Sequence, residues 1–126
     1  MKYVDGFVLV VPKKKLPAYK KMAQEGAKLW MKYGALDYKE CVGDDLTPDM
    51  GEFKIATFPQ ITNLKSDETV VFSYIVFKSK THRNAVNAKV MKDPSMNDPK
   101  NKNKPMPFDM KRMAYGGFKV IVEAKK

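Results

Sequence analysis

Hydrophobic positions run almost unbroken through residues 3–11, where both alternating sets, Tyr3, Phe7, Leu9, Val11 and Val4, Val8, Val10, are apolar and only Asp5 and Gly6 interrupt. Such a run predicts a strand covered on both faces. Pro12 ends it. From Leu16 to Tyr33 the pattern changes, with Leu16, Tyr19, Ala23, Ala27 and Trp30 recurring at spacings of three and four and lysines between them. That stripe predicts an amphipathic helix, with Pro17 suited to its first turn and Gly34 to its C-terminal cap. Residues 35–42 predict a second strand, and the apolar run Val70 to Phe77 a third, at the sheet centre. Between these, residues 53–58 predict a short extra strand before Pro59. Ser79 can cap a second helix over 79–91, with His82, Val86 and Val90 on one face and Pro94 beyond its end. Residues 112–122 predict the last strand, in which Gly116-Gly117 marks a bulge or a close backbone approach.

The order βαββαβ is that of the ferredoxin-like split motif, an α+β fold whose antiparallel sheet carries both helices on one face. The other face stays bare, yet both alternating sets of strands one and three are apolar. A monomer rarely leaves that much apolar area in water, so this face predicts a homodimer. The loop 94–110 is rich in Pro, Asn and Lys and longer than most connections in a compact domain. Residues 97–104 contain no apolar residue and are expected to be disordered, whereas Pro105-Met106-Pro107-Phe108 has apolar groups to dock and, with Met110, to cover a cavity.

Length and composition narrow the class. A chain of 126 residues with 44% hydrophobic and 30% charged residues predicts one domain, residues 1–126, with a proper core. The apolar run near residue 7 is five residues long, too short for a signal peptide, and nothing approaches the roughly 20 residues of a membrane helix. The lone Cys41 excludes an intrachain disulfide and points to a reducing, cytoplasmic setting. The net charge is +10, concentrated at the ends: residues 1–33 carry eight Lys against two acids and residues 92–126 nine basic against four acidic. Twenty-two of the 24 cations are lysines, which reads first as a solvated surface. The alternative is a basic face for RNA, DNA or an acidic partner, without the arginines and aromatics that base recognition uses.

Six blocks in order carry a family resemblance: Tyr3-Val4-Asp5-Gly6-Phe7-Val8, Gly34-Ala35-Leu36-Asp37-Tyr38, Glu40-Cys41-Val42-Gly43-Asp44-Asp45, His82 to Met91, Met106-Pro107-Phe108-Asp109, and Lys111 to Phe118. They resemble the YbaA-like family of small bacterial proteins of unknown function, with only residues 46–67 and 95–104 divergent. The resemblance implies a dimeric alpha-beta barrel. That superfamily also holds cofactor-free monooxygenases, muconolactone isomerases and binding domains, and the resemblance implies no established activity.

Candidate chemistry rests on few residues. His82, the only histidine, can move a proton near neutral pH, or can simply cap and pack in the first helical turn. Arg83 and Arg112 are the only arginines in a chain that otherwise uses lysine, which suggests that fork geometry matters there, for a bound carboxylate or phosphate or for a buried Arg–Asp pair. Asp5, inside an apolar strand, needs a partner or a cavity. The split topology brings it near the start of helix two, toward His82 or Arg83. Asp44, Asp45 and Cys41 fall at the opposite end with Arg112 and the loop 94–110, so two separate polar clusters are expected. The acidic run 44–52 lacks the alternating ligands and central glycine of a calcium loop, one histidine makes no metal cluster, and Cys41 has no base near it in sequence. No phosphate loop, nucleophile elbow or dinucleotide fingerprint occurs. These features predict a homodimer that binds a small anionic or aromatic molecule in a cavity without metal or organic cofactor. In an enzymatic version His82 would transfer the proton and Arg83 or Arg112 would hold an anionic group.

Overall fold

The apolar run near the start of the chain forms β1 (Tyr3–Pro12), and the helical stripe forms α1 (Leu16–Lys32) after a single 3-10 turn at Lys13–Lys15. β2 (Asp37–Val42), a short α2 (Phe58–Thr62), β3 (Glu68–Phe77), α3 (Lys80–Lys92) and β4 (Ala114–Lys119) follow in the computed structural model, which describes residues 1–101 and 104–126. The part of the expected disordered stretch at residues 102–103 lies outside the described residues. The four strands form one antiparallel sheet in the order β2-β3-β1-β4. Among the described residues no helix is long and apolar enough to cross a membrane.

Both main helices cover the same face of that sheet. In β1 and β3 the paired residues Leu9 and Val71 point to α1 and pack with Val11, Tyr19 and Ala23. At the other end Ile75 and Phe77 meet Val86 and Val90 of α3 together with Ala35. Phe7 packs against both groups and joins them. Phe77, Val86 and Val90 are almost fully buried, and truncating such a phenylalanine to alanine costs about 3–5 kcal/mol. Two polar links tie α1 to α3: the Trp30 indole N–H donates to Asn87 Oδ1 at 3.0 Å, and the Tyr33 hydroxyl donates to Asp93 Oδ2 at 2.6 Å.

Element boundaries depart from the sequence pattern for local reasons. β2 starts at Asp37, not Ala35, because the Gly34 and Ala35 amides are used to close α1, donating to Met31 and Trp30 carbonyls. Gly34 sits at φ +114°, a conformation that favours glycine. The short strand expected at residues 53–58 is absent. Thr57 and Gln60 form instead a reciprocal capping box, Gln60 N donating to Thr57 Oγ1 and Thr57 N to Gln60 Oε1, with Pro59 in the first turn, and this starts α2. Arg112 lies on a 3-10 turn, Met110–Arg112, rather than in the last strand, since Asp109 caps that turn through the Lys111 amide. β4 ends at Lys119 rather than Val122; the Val120 amide adds one bond to the Lys2 carbonyl.

The glycine pair makes a close approach and no bulge. The register runs unbroken, Gly6 opposite Gly116 and Asp5 opposite Gly117. A Cβ on Gly117 would lie 2.7 Å from Cε2 of Tyr3, whose ring crosses the strand there. Of the apolar groups expected to dock from the long loop, Phe108 does so, edge-on to Tyr19 with ring centroids 6.0 Å apart, while Met106 and Met110 stay exposed.

The second face of the sheet is covered only at one end. Val10 and Val70 are buried there, and Val70 lines a shallow cavity of about 320 Å³ with Leu46 and Phe58 from the β2–β3 connection and with Phe72. On the same face Phe72 and Phe118 are 46% and 61% exposed.

Candidate functional site

The two arginines lie at opposite ends of the sheet, as the topology predicts, and their surroundings differ. Arg112 is fully engaged. Its Nη1 and Nη2 donate to the two carboxylate oxygens of Glu68 at 2.9 and 2.5 Å, Nε donates to Asp109 Oδ2 at 2.8 Å, and Nη1 also reaches the Asn63 carbonyl at 3.0 Å. The guanidinium holds the Glu68 and Asp109 carboxyls below their usual range, while their charges push Arg112 further up. Asp44 and Asp45, expected near this arginine, are exposed in the loop after β2 and are not among its partners. Cys41 is exposed as well.

Around Arg83 the matching is incomplete. Asp5 is 1% exposed, yet neither of its oxygens accepts a hydrogen bond, and the Arg83 Nε facing it at 3.7 Å has no acceptor. The remaining guanidinium nitrogens make long contacts, Nη2 to the Tyr3 hydroxyl at 3.3 Å and Nη1 to the Tyr115 hydroxyl at 3.4 Å. The Tyr3 ring lies 5.0 Å from the guanidinium carbon, and Tyr115 stacks on Phe7 with centroids 4.7 Å apart. Burial pushes the Tyr115 hydroxyl up, and the Asp5 charge adds to it.

His82, next to Arg83 in sequence, faces elsewhere. It lies in the first turn of α3, where its amide donates to the capping Ser79 Oγ at 3.0 Å and its Nδ1 accepts from the Lys78 amide at 2.9 Å. Its ring meets Phe77 edge-on, and its Nε2 lies 3.4 Å from where a Gly34 Cβ would stand. These contacts are those of a capping and packing residue.

A third cluster escaped the sequence reading. In the cleft between α1 and β2, Tyr19 donates to Glu40 Oε1 and Tyr38 to Glu40 Oε2, both at 2.7 Å. Desolvation first, and the Glu40 carboxylate second, push both phenols well above their usual range, so they stay protonated donors. Each carboxylate oxygen keeps lone-pair capacity for one more donor. The cleft holds about 490 Å³, within the range of small-molecule sites, and its walls are mainly apolar, from Leu16, Ala23, Ala27 and Val71, with Lys20 and Gln24 also lining it. One signal was available: Tyr38 and Glu40 share a face of β2, and an acid on the helix-facing side needs partners. Tyr19 read only as core.

Comparison with known proteins agrees with the resemblance. The model of a family described as "Protein of unknown function (DUF1428)" matches residues 2–110. The chain is 46% identical over 123 residues, 98% of its own length and 99% of theirs, to proteins each called "Uncharacterized protein YbaA" from Escherichia coli strain K12, Escherichia coli O157:H7 and Shigella flexneri.

Proposed function

Since the chain belongs to the DUF1428 family of proteins of unknown function, we propose its role from geometry: it binds a small aromatic molecule carrying a hydroxyl or amine in the cleft between α1 and β2. The observation that carries this reading is the Glu40 carboxylate, held by Tyr19 and Tyr38 in an otherwise apolar cleft. An acceptor so placed favours ligands that donate, and the anionic ligand expected from the arginines finds no free guanidinium here. Arg112 is saturated by Glu68 and Asp109, and His82 does not line the cleft. Binding needs no metal and no organic cofactor in this reading, and it leaves His82 without a catalytic step.

The probe is phenol, with benzoate as its anionic counterpart, followed by amide chemical shifts in a 15N-labelled sample. Phenol is expected to move residues of α1 and β2 saturably while benzoate does not, and Ala27→Leu, which fills the cleft, is expected to abolish the response. Shifts that ignore Ala27→Leu, or a preference for benzoate, overturn the reading.

The assembly belongs to the same proposal. The order β2-β3-β1-β4 with crossover helices after β1 and β3 supports a ferredoxin-like fold, and the uncovered face supports a second copy as its occupant. Val70 is buried where Leu46 and Phe58 lie beside it, whereas Phe118 and much of Phe72 on the same face stay exposed. Native mass spectrometry is expected to give twice 14.4 kDa, and Phe118→Asp is expected to give the monomer. A monomeric wild type at micromolar concentration removes the dimer from the proposal without touching the cleft.

A further inference from the structure

The cleft between α1 and β2 has an inner and an outer side of opposite chemistry. Two neighbouring stripes of α1 line it, Tyr19 and Ala23 on one and Lys20 and Gln24 on the other, each pair four residues apart and so one above the other on the helix. Tyr19 and Ala23 are buried and form the inner wall, where the Tyr19 hydroxyl meets Glu40. Lys20 and Gln24 are exposed and form the lip. Glu40 makes the inner side an acceptor, whereas the lip carries a cation and an amide. That cation is uncommitted. Among the described residues the lysines that form ion pairs are Lys2, Lys32, Lys39 and Lys125, and Lys20 pairs neither with Glu40 across the cleft nor with any other acid.

Resting on the reading of this cleft as an aromatic-binding site, we propose that its ligand is an aromatic carboxylate with the hydroxyl or amine at the opposite, para position. The hydroxyl donates to Glu40, the ring lies along the apolar walls, and the carboxylate meets the Lys20 ammonium at the lip. Three features select that class and its direction of entry. A carboxylate at the inner side would face the like charge of Glu40, so the donor enters first and the anion stays outside. Lys20 suits the outer end, since its flexible stem can cover the ring edge while the ammonium remains in water, and the Gln24 amide beside it offers an N–H to the second carboxylate oxygen. A net charge of +10 draws an anion toward the protein, which a neutral phenol does not exploit. A para arrangement separates the two groups by the ring, as an acceptor within and a cation at the lip require.

The test compares phenol with 4-hydroxybenzoate, 2-hydroxybenzoate and 4-hydroxybenzylammonium by amide-shift titration of a 15N-labelled sample at low ionic strength. 4-Hydroxybenzoate is expected to bind about two- to fivefold more tightly than phenol, the scale of a solvent-exposed ion pair, and to lose that gain at high salt. 2-Hydroxybenzoate, whose hydroxyl is spent on its own carboxylate, and the ammonium analogue are expected to show no gain. Lys20→Gln is expected to bring the ratio of the two affinities to about one, and Lys20→Arg to preserve it. Lys21→Gln removes the same charge from an exposed position outside the cleft and is expected to leave the ratio as in wild type, which separates a local pair from the attraction of the whole molecule. The proposal is overturned by a gain that survives Lys20→Gln, by one lost equally in Lys21→Gln, by an equal gain for 2-hydroxybenzoate, or by preference for the ammonium, which would make Glu40 the selecting charge. In each of those cases phenol still moves α1 and β2, and the reading of the cleft stands. Absence of a phenol response removes both.

Discussion

The two arginines of this chain invite comparison because they begin as chemical equals and end in opposite circumstances. Arg112 has three oxygens of Glu68 and Asp109 within 2.9 Å and a backbone carbonyl beside them, whereas Arg83 faces a more deeply buried carboxylate and makes no short contact with it. A saturated fork is structural. It joins the start of β3 to the turn before β4, with four of its five N–H groups committed within the protein. An unsaturated one keeps bonding capacity that the fold does not use. Proximity of opposite charges is therefore a poor guide to function until the donors and acceptors have been counted.

The sharpest way to break this contrast is to remove each arginine's partner in turn. Arg112→Met leaves Glu68 buried without its cation, and breaking such a pair from one side is strongly destabilising, so calorimetry is expected to show a drop of roughly 10 °C in Tm. Acid sharpens the same point. Glu68 and Asp109 titrate below their ordinary values of 4.5 and 3.8, so the stability they contribute is fully present above those values and is lost as the pH falls through the depressed ones. Melting curves from pH 7 downward are expected to show wild type losing stability in that acid range, with Arg112→Met converging on it. Curves that stay parallel would mean that the fork does not depress the titration of these two carboxyls.

Gly117→Ala acts on the other region, with a smaller effect. The new methyl enters the space of the Tyr3 ring, and overpacking of this kind costs about 1–3 kcal/mol. Tyr3→Ala, by vacating the space, is expected to cancel most of that added cost in a double-mutant cycle in urea. The smallest effect is expected where intuition puts the largest. Asp5→Asn alters the most buried carboxylate of the described residues, yet it breaks no hydrogen bond, so stability is expected within about 1 kcal/mol of wild type or above it. A loss as large as that of Arg112→Met would show that Asp5 and Arg83 already form a closed structural pair.

Much of this architecture can be read along the chain. The period of three and four in Leu16, Tyr19, Ala23, Ala27 and Trp30 places α1 within a residue of its end, and the apolar runs locate β1 and β3. Asp5 announces its need for a partner by standing alone among valines, and the topology brings that partner from the start of α3. Residues 53–58 misled because hydrophobic alternation competes there with a capping box that only its hydrogen bonds reveal. Glu68 was missed because it precedes the apolar run that marked β3, and Glu40 because its partner Tyr19 comes from a distant helix.

Periodicity and residue type are properties of neighbours in the chain, and they determined the strands, the helices and the short list of groups whose burial needed explaining. Which carboxylate each arginine meets, how completely it is satisfied, and where Tyr19, Tyr38 and Glu40 converge depend on strand register and side-chain direction across the sheet. Those relations join residues far apart in sequence and at ångström precision, and because a hydrogen bond is made or lost over less than one ångström, only the tertiary structure could decide them.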